Sequence, residues 1–155
     1  MTRAVIATGA NLGDRAETIA AAIERLRATD GVAVLAVSEL VETIAIRPDG
    51  PDDSHPSYLN GVAILDTTLS AASLLAVLHS IEDDHGRTRT ERWGDRTLDL
   101  DLIVFGDLIE DGNLVVPHPR AHERWFVLGP WLSLDPDAVI PGRGPVNALL
   151  AAVLA

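Results

Sequence analysis

RWGDRTLDLDLIVF, from Arg92 to Phe105, is the stretch of this 155-residue chain from which the rest of the molecule can be placed. Its second half predicts an extended strand over Leu98 to Phe105. Residues two apart on a strand point to the same face, about 6.6 Å apart along the chain, so Asp99 and Asp101 share a face. Two carboxylates at that spacing can reach shared hard cations, and Mg²⁺ is held in this way.

Arginines are concentrated just before that strand. All twelve basic residues of the chain are arginines, and four of them fall between positions 87 and 96, namely Arg87, Arg89, Arg92 and Arg96. Against Glu91 and Asp95 these four give a local charge of +2 in a chain whose net charge is −11. One interpretation is a solvated surface with weak, screened ion pairs. A positive cluster in an acidic protein favours an anionic ligand instead, and guanidinium groups bind phosphate oxygens bidentately, which indicates phosphoryl or pyrophosphoryl transfer.

Composition sets limits on fold and partners. With 47% hydrophobic residues, the chain can bury a proper core, and we expect one domain over residues 1–155. The excess of 23 acidic over 12 basic residues argues against nucleic acid as a partner. The absence of cysteine excludes disulfides, thiolate zinc sites and a cysteine nucleophile. No segment reads as a signal peptide or a membrane span, so a cytoplasmic protein without a membrane partner is expected.

The order of predicted elements indicates the fold. Periodicity and cap residues predict a strand over 3–8, a helix from Asp14 to about Ala28, a long strand over 32–46, an exposed loop over 47–57, a strand over 58–67, a helix over 70–85 and the strand that carries Asp99. This order predicts an α+β fold with a ferredoxin-like βαββαβ core, in which an antiparallel sheet has two helices on one face. The C-terminal extension should contain a ribbon near Leu114 to Val116, a helical segment around Arg120 to Leu134 and a final helix from Pro145.

The motif GDRTLDLDLI, residues 94–103, together with Arg92 and Trp93, closely resembles the signature of the 6-hydroxymethyl-7,8-dihydropterin pyrophosphokinase family of folate biosynthesis. Further matches occur in the family's order along nearly the whole chain. They are NLGDR at 11–15, YLN at 58–60, Ile81-Glu82 before Gly86-Arg87, VPHP at 116–119, and Arg124 with Phe126.

The resemblance implies a role for each matching residue. Asp99 and Asp101 resemble the ligands of two Mg²⁺ ions that bridge the phosphates of the co-substrate ATP, and Arg87 and Arg96 the arginines that clamp those phosphates. The remaining matches imply an ATP site with Glu82, Arg92, His118 and Arg124, and a pterin site with Thr43, Tyr58, Asn60, Trp93 and Phe126. Within the pterin site, Tyr58 and Phe126 would stack on the ring, and Asn60 and Thr43 would bind its edge.

Each of these residues also has an ordinary structural interpretation. Taken singly, Tyr58 and Phe126 would be core residues, and His118 and Asn60 would be loop or strand-end residues. The sequence also departs from the family pattern at four places: Asp95 replaces a usual proline, Ala10 a serine, His79 a glutamine, and Ile44-Ala45 follow Thr43 where a proline-rich turn is common.

The resemblance therefore predicts transfer of diphosphate from MgATP to the hydroxymethyl group of 6-hydroxymethyl-7,8-dihydropterin, by a monomer. Two alternatives stay open from the sequence. One is a pterin-binding or nucleotide-binding paralogue that has lost turnover. The other is an unrelated Mg²⁺-dependent phosphohydrolase that uses the aspartate pair on other substrates.

Overall fold

An antiparallel sheet runs through the centre of the protein in a computed structural model, which describes residues 1–11, 13–43, 46–47, 50–51, 57–85 and 98–155. The sheet contains β1 (Thr2–Ala10), β2 (Val32–Val37), β3 (Val41–Thr43), β6 (Tyr58–Thr67) and β7 (Asp99–Phe105). The order across the sheet is β2, β6, β1, β7. β3 pairs with the first three residues of β6, on the same edge of β6 as β2. Every pairing is antiparallel. β1 lies between β6 and β7.

Two helices cover one face of this sheet. They are α1 (Arg15–Arg27) and α2 (Ala71–Asp84), which follow β1 and β6. Each begins at a side-chain cap, because Asp14 accepts from the Glu17 N–H at 3.1 Å and Ser70 accepts from the Ser73 N–H at 3.1 Å. Their apolar stripes pack with alternate residues of the strands in a core that includes Leu26, Leu78 and Leu100. The hydrophobic effect therefore fixes which face of β7 points towards α2.

The opposite face is covered by the C-terminal part of the chain. After the two-stranded ribbon of β8 (Glu110–Asp111) and β9 (Val115–Val116), a 3₁₀ turn over Ala121–Glu123 leads into α3 (Trp125–Leu134). A second ribbon, β10 (Val139–Ile140) with β11 (Gly144–Pro145), precedes α4 (Val146–Leu154). The elements from the 3₁₀ turn onward form a second core with the other residues of the strands, whereas Val116 of the first ribbon belongs to the core beneath α1 and α2. The first ribbon, the helical segment and the final helix are confirmed as predicted, and the face that α3 and α4 cover was not foreseen.

One predicted strand is wrong. The run over 32–46 does not form one strand, because β2 ends at Val37 and β3 spans only Val41–Thr43. Residues 38–40 stand opposite only two residues of β6, and Ser38 fills the gap with its side chain. The Val62 N–H donates to Ser38 Oγ at 2.9 Å, where a strand would use a backbone carbonyl. The predicted loop after residue 46 also contains paired backbone, since β4 (Ile46–Arg47) pairs with β5 (Gly50–Pro51).

The other elements agree with the sequence to within a few residues. The antiparallel sheet, α1, α2, β6 and β7 lie where periodicity and cap residues put them. In the described part of the chain, no helix has the length and apolar character needed to cross a membrane.

Candidate active site

The two aspartates of β7 lie on the face of the sheet that points away from α1 and α2. Leu98, Leu100 and Leu102, which alternate with them, are buried in the core beneath those helices. In the register with β1, Asp99 is opposite Gly9 and Asp101 is opposite Ala7. Both carboxylate side chains are half-buried. The strand therefore presents two acidic side chains on one face, as its alternation predicted.

A buried glutamate of α2 contacts the backbone between these aspartates. Glu82 is only 4% exposed, and its Oε2 accepts a hydrogen bond from the Leu100 N–H at 2.8 Å. Among the described strands, β7 lies at the edge of the sheet, so none of them pairs with this N–H. The Glu82 carboxylate thus supplies the acceptor that a neighbouring strand's carbonyl would offer to the Leu100 N–H.

His118 reaches the same edge of β7 from the C-terminal part. Its backbone N–H donates to the Ile103 carbonyl at 2.8 Å, and its Nδ1 accepts from the Arg120 N–H at 3.2 Å. Burial, the largest effect, lowers the pKa of His118 below its ordinary value of 6.5; the Asp101 carboxylate opposes this, and Arg124 and Arg120 reinforce it. Near neutral pH the imidazole is therefore uncharged, with its proton on Nε2.

A cavity of about 260 Å³ opens beside these groups. Glu82, Asp101 and His118 contribute polar side chains to its wall. Its remaining lining is mostly apolar and comes from Leu75, His79, Leu100, Leu102, Asn113, Leu114, Val115 and Pro119. A concave site with convergent polar groups is the usual form of a small-molecule site, so a ligand held here would have Asp101 and His118 at its border.

A second group of polar side chains lies across β1 from the aspartates. Asn60 of β6 is opposite Gly9, just as Asp99 is on the other side. The Asn60 Nδ2 donates to Thr43 Oγ1 at 2.9 Å, and Thr43 is opposite Tyr58 in the register of β3 with β6. Alternation puts Tyr58 and Asn60 on the aspartate face of the sheet.

Gly9 separates the two groups without a side chain. A Cβ built at this position would lie 3.4 Å from Asn60 Oδ1 and 3.9 Å from Tyr58 Cδ1. Since two strand spacings of about 4.8 Å separate β6 from β7, the backbones that carry Asn60 and Asp99 are about 10 Å apart. The floor between them is bare backbone, against which a flat ligand could lie.

Phe126 stands near this face on α3, which packs against β6 and contacts β3. Its ring is half-buried against the second core and meets Trp125 edge to face, with centroids 6.0 Å apart. The Arg124 guanidinium carbon lies 5.9 Å from the centroid of the same ring. These contacts hold one aromatic ring and one cation together.

Of the residues predicted for the site, nine are described and come from the elements around this face: Thr43, Tyr58, Asn60, Glu82, Asp99, Asp101, His118, Arg124 and Phe126. Arg87, Arg92, Trp93 and Arg96 lie outside the described residues, and so do Asp95, Ile44 and Ala45.

A model of one protein family, described as 7,8-dihydro-6-hydroxymethylpterin-pyrophosphokinase, matches residues 5–136. The chain belongs to this pyrophosphokinase family. The match includes every described residue of the site, from Gly9 to Phe126.

Relatives within the family share much of the sequence. The 2-amino-4-hydroxy-6-hydroxymethyldihydropteridine pyrophosphokinase of Methylorubrum extorquens is 41% identical over 150 residues, which are 96% of this chain and 92% of the relative. The protein of that name from Pseudomonas aeruginosa is 42% identical over 97% of this chain and 91% of its own length.

Solved structures agree with the fold. A crystal structure of HPPK-DHPS in complex with substrates superposes with a TM-score of 0.74 at 12% identity, and wild-type Plasmodium falciparum HPPK-DHPS with SDX-DHP gives 0.70 at 14%. The superpositions cover 97% and 98% of this chain but only 43% of each of the two longer chains.

Two departures from the family pattern can now be located. Ala10 is fully buried in the core beneath α1 and α2, so its side chain is on the other face from Asp99 and Asn60. His79 lines the cavity together with Glu82, one helical turn further along α2.

Sequence reasoning gave no role to three further residues that lie near the described site residues, namely Gly9, Asn11 and Arg15. The role of Gly9 follows only from the register of β1 with both neighbours. Asn11 is 1% exposed, and its amide atoms have no hydrogen-bond partner among the described residues. Arg15 belongs to the NLGDR motif, but its contacts with Glu42 of β3 and with Ser57, just before β6, cross 27 and 42 positions of the chain, which no local pattern reports.

Proposed function

We propose that this chain transfers a diphosphate from MgATP to the hydroxymethyl oxygen of 6-hydroxymethyl-7,8-dihydropterin, which gives AMP and the pterin diphosphate in folate biosynthesis. One observation carries the proposal beyond family membership. Two same-face carboxylates and an aromatic and amide wall lie on one sheet face, about 10 Å apart, with Gly9 of β1 between Asp99 and Asn60. That separation suits a pterin on the Asn60 side whose hydroxymethyl group extends towards phosphates on the aspartate side.

Asp99 and Asp101 are proposed as the protein ligands of two Mg²⁺ ions. Their oxygens are the hard donors that Mg²⁺ prefers. In the described ranges, no three His, Asp or Glu side chains form a group that could hold a metal by themselves. Substrate phosphates would therefore complete the coordination, which is the usual arrangement for Mg²⁺ in nucleotide enzymes. When bound, the ions would neutralise phosphate charge and hold the phosphates in line.

The nucleotide is proposed to occupy the cavity beside α2. Its mixed lining of leucines and polar side chains suits a heteroaromatic base with polar edges, and its border with Asp101 and His118 suits the start of the phosphates. Glu82 forms part of the same wall, and Arg124 is close enough to lower the pKa of His118. Arg87, Arg92 and Arg96 are proposed to bind the phosphate oxygens bidentately.

The pterin is proposed to stack between Tyr58 and Phe126, with Trp93 closing the same site. A flat heteroaromatic ring gains from contact with aromatic faces on both sides. Asn60 carries both a donor and an acceptor, so it can pair with the amide edge of a pterin, and its 2.9 Å hydrogen bond with Thr43 orients it.

The chemistry proposed for these groups is positioning and charge stabilisation. The hydroxymethyl group gives up its proton to Asp101 or to solvent, and its oxygen forms a bond to the β-phosphorus. The bond from that phosphorus to the α,β-bridging oxygen breaks, and AMP leaves with that oxygen. Arg87 and Arg96 would stabilise the charge that develops on the phosphate oxygens. Enclosure by the surrounding segments would keep water from the β-phosphorus.

Further proposals concern the whole chain. The strand order and the two helices on one face support a ferredoxin-like core in a single domain over residues 1–155. We also propose that the protein is a cytoplasmic monomer.

The aspartate pair provides the test of this site. In the variant with Asp99→Ala and Asp101→Ala, pterin-dependent AMP formation should fall by at least about a thousandfold, as losses of transition-state charge stabilisation typically do. Asp107→Ala is the matched control, because it removes an exposed carboxylate just after the same strand. The metal role is wrong if the double variant turns over at the normal rate.

A further inference from the structure

We infer that Arg15 is a positioning residue of the pterin site, an inference that rests on the proposed function. Its Nη1 donates to the Ser57 carbonyl at 2.7 Å and to Ser57 Oγ at 2.8 Å. Its Nη2 lies 3.0 Å from Glu42 Oε2. One guanidinium on the first turn of α1 therefore connects two segments that are distant in the chain.

Both segments lead directly into the residues proposed to hold the pterin. Ser57 precedes Tyr58, and Glu42 precedes Thr43. Thr43 and Tyr58 are the last pair of the β3–β6 ladder. A ladder of three pairs at a sheet edge is easily frayed at its end, and the guanidinium joins the two strands at that end. Arg15 thus fixes the distance between the backbones that carry Thr43 and Tyr58.

Thr43 in turn sets the orientation of Asn60. The Asn60 Nδ2 donates to Thr43 Oγ1 at 2.9 Å and lies 3.4 Å from the Val41 carbonyl. If β3 moved away from β6, Asn60 would lose the acceptor that fixes its amide. The effect of Arg15 on the ligand would therefore pass through Thr43, Tyr58 and Asn60.

The chemistry of the contact suits a clamp. The Arg15 side chain is 26% exposed, so its guanidinium is partly shielded from water. A planar guanidinium can serve three acceptors at fixed angles, which an ammonium cannot do. Hydrogen bonds from Ser57 and Arg15, together with the Arg15 charge, hold the pKa of Glu42 below its ordinary value. Glu42 is therefore a carboxylate at neutral pH and can pair with the Arg15 guanidinium.

The matched control is Arg25 on the same helix. It forms an ion pair with Asp84 at 2.7 Å, in which both side chains are substantially exposed, and Asp84 is on α2 rather than on β3 or β6. Arg15→Gln and Arg25→Gln make the same change of charge on α1. Only the first should disturb the pterin site.

Calorimetric titration with 6-hydroxymethylpterin, in the presence of Mg²⁺ and α,β-methylene-ATP, tests the inference. Arg15→Gln should raise the Kd for the pterin about tenfold, as expected for a displacement of ligand-binding groups, and leave the Kd for the nucleotide analogue within about twofold. At saturating pterin, kcat should stay within about threefold, so the loss appears in KM. Arg25→Gln should leave each value within about twofold of the wild type.

A pterin Kd within twofold of the wild type for folded Arg15→Gln, or an equal rise in Arg25→Gln, would overturn the inference. If Arg15→Gln does not fold, Arg15→Lys replaces it, because Lys keeps the charge but not the fork; a rise of about threefold or more in the pterin Kd is then expected, and a smaller one refutes the clamp. A wild-type protein that binds no pterin would instead refute the proposed function.

Discussion

Replacement of Glu82 by leucine should destabilise the edge strand that carries the two aspartates. Leucine fills a similar volume but offers no acceptor to the Leu100 N–H, which now donates to Glu82 Oε2 at 2.8 Å. Leu100 is 2% exposed, so water is a poor substitute for the lost acceptor, and no described strand lies beside β7 to offer a backbone carbonyl. The variant must either bury an unpaired N–H or shift β7 outward.

The size of the effect follows from the cost of a buried donor without a partner. That cost is about 1–3 kcal/mol, which for a chain of this length lowers Tm by about 2–12 °C. A displaced strand also moves Asp99 and Asp101, and loss of such supporting contacts typically weakens metal binding about 10–100-fold. Glu82→Gln keeps an acceptor oxygen, so it should lose less than half as much in Tm.

Three measurements check this prediction. Thermal unfolding gives the Tm values, amide hydrogen exchange of Leu100 reports the hydrogen bond, and Mn²⁺ binding in the presence of α,β-methylene-ATP reports the aspartates. Glu82→Leu should show faster exchange at Leu100 and weaker Mn²⁺ binding than Glu82→Gln. Equal exchange and equal Mn²⁺ affinity in the two variants would refute the reasoning.

The other predictions concern the pterin floor, its edge and the histidine. Gly9→Ala should fold, because its φ is not positive and the new methyl meets only ordinary contacts, yet the pterin KM should rise about tenfold or more in steady-state assays; an unchanged KM would show that nothing lies on that floor. Asn60→Ala should raise the pterin KM about tenfold or more and leave the ATP KM within about twofold, and equal rises in both would contradict its assignment to the pterin. Since burial lowers the pKa of His118 in the folded state, the unfolded chain takes up this proton first as pH falls below about 6.5, and stability is lost from there downward. Urea unfolding without Mg²⁺ at about pH 7.5 and 5.5 should therefore show a smaller acid loss in His118→Gln than in the wild type, and identical losses would contradict the shift.

Local signals in the sequence predicted much of the fold. α2 was placed to within one residue at each end, because Ser70 is a strong N-cap and its leucines recur with helical spacing. The break between β2 and β3 was missed, since it depends on an extra residue opposite β6 and on the Ser38 side chain, not on the β propensity of the run. The register between strands is set by tertiary packing, so it cannot be predicted from the β propensity of single residues.

In the candidate site, too, local sequence signals predicted some features, while others depended on the tertiary arrangement of the strands. Alternation was enough to put Asp99 and Asp101 on one face, and motif order suggested the residues on β6 and α3. The contact of Glu82 with Leu100 and the position of Gly9 between two polar groups required the sheet order. Family resemblance assigned Glu82 to the nucleotide, and the hydrogen bond gives it a second task that the motif does not reveal.

The central claim is tested most directly by AMP formation from MgATP with the purified protein, with and without 6-hydroxymethyl-7,8-dihydropterin, followed by chromatography. We expect AMP only when the pterin is present, in a one-to-one ratio with a pterin product heavier by a diphosphate group. ADP or orthophosphate released without regard to the pterin would indicate a phosphohydrolase, and tight pterin binding without AMP would indicate a paralogue that has lost turnover. Either result would contradict the proposed diphosphate transfer.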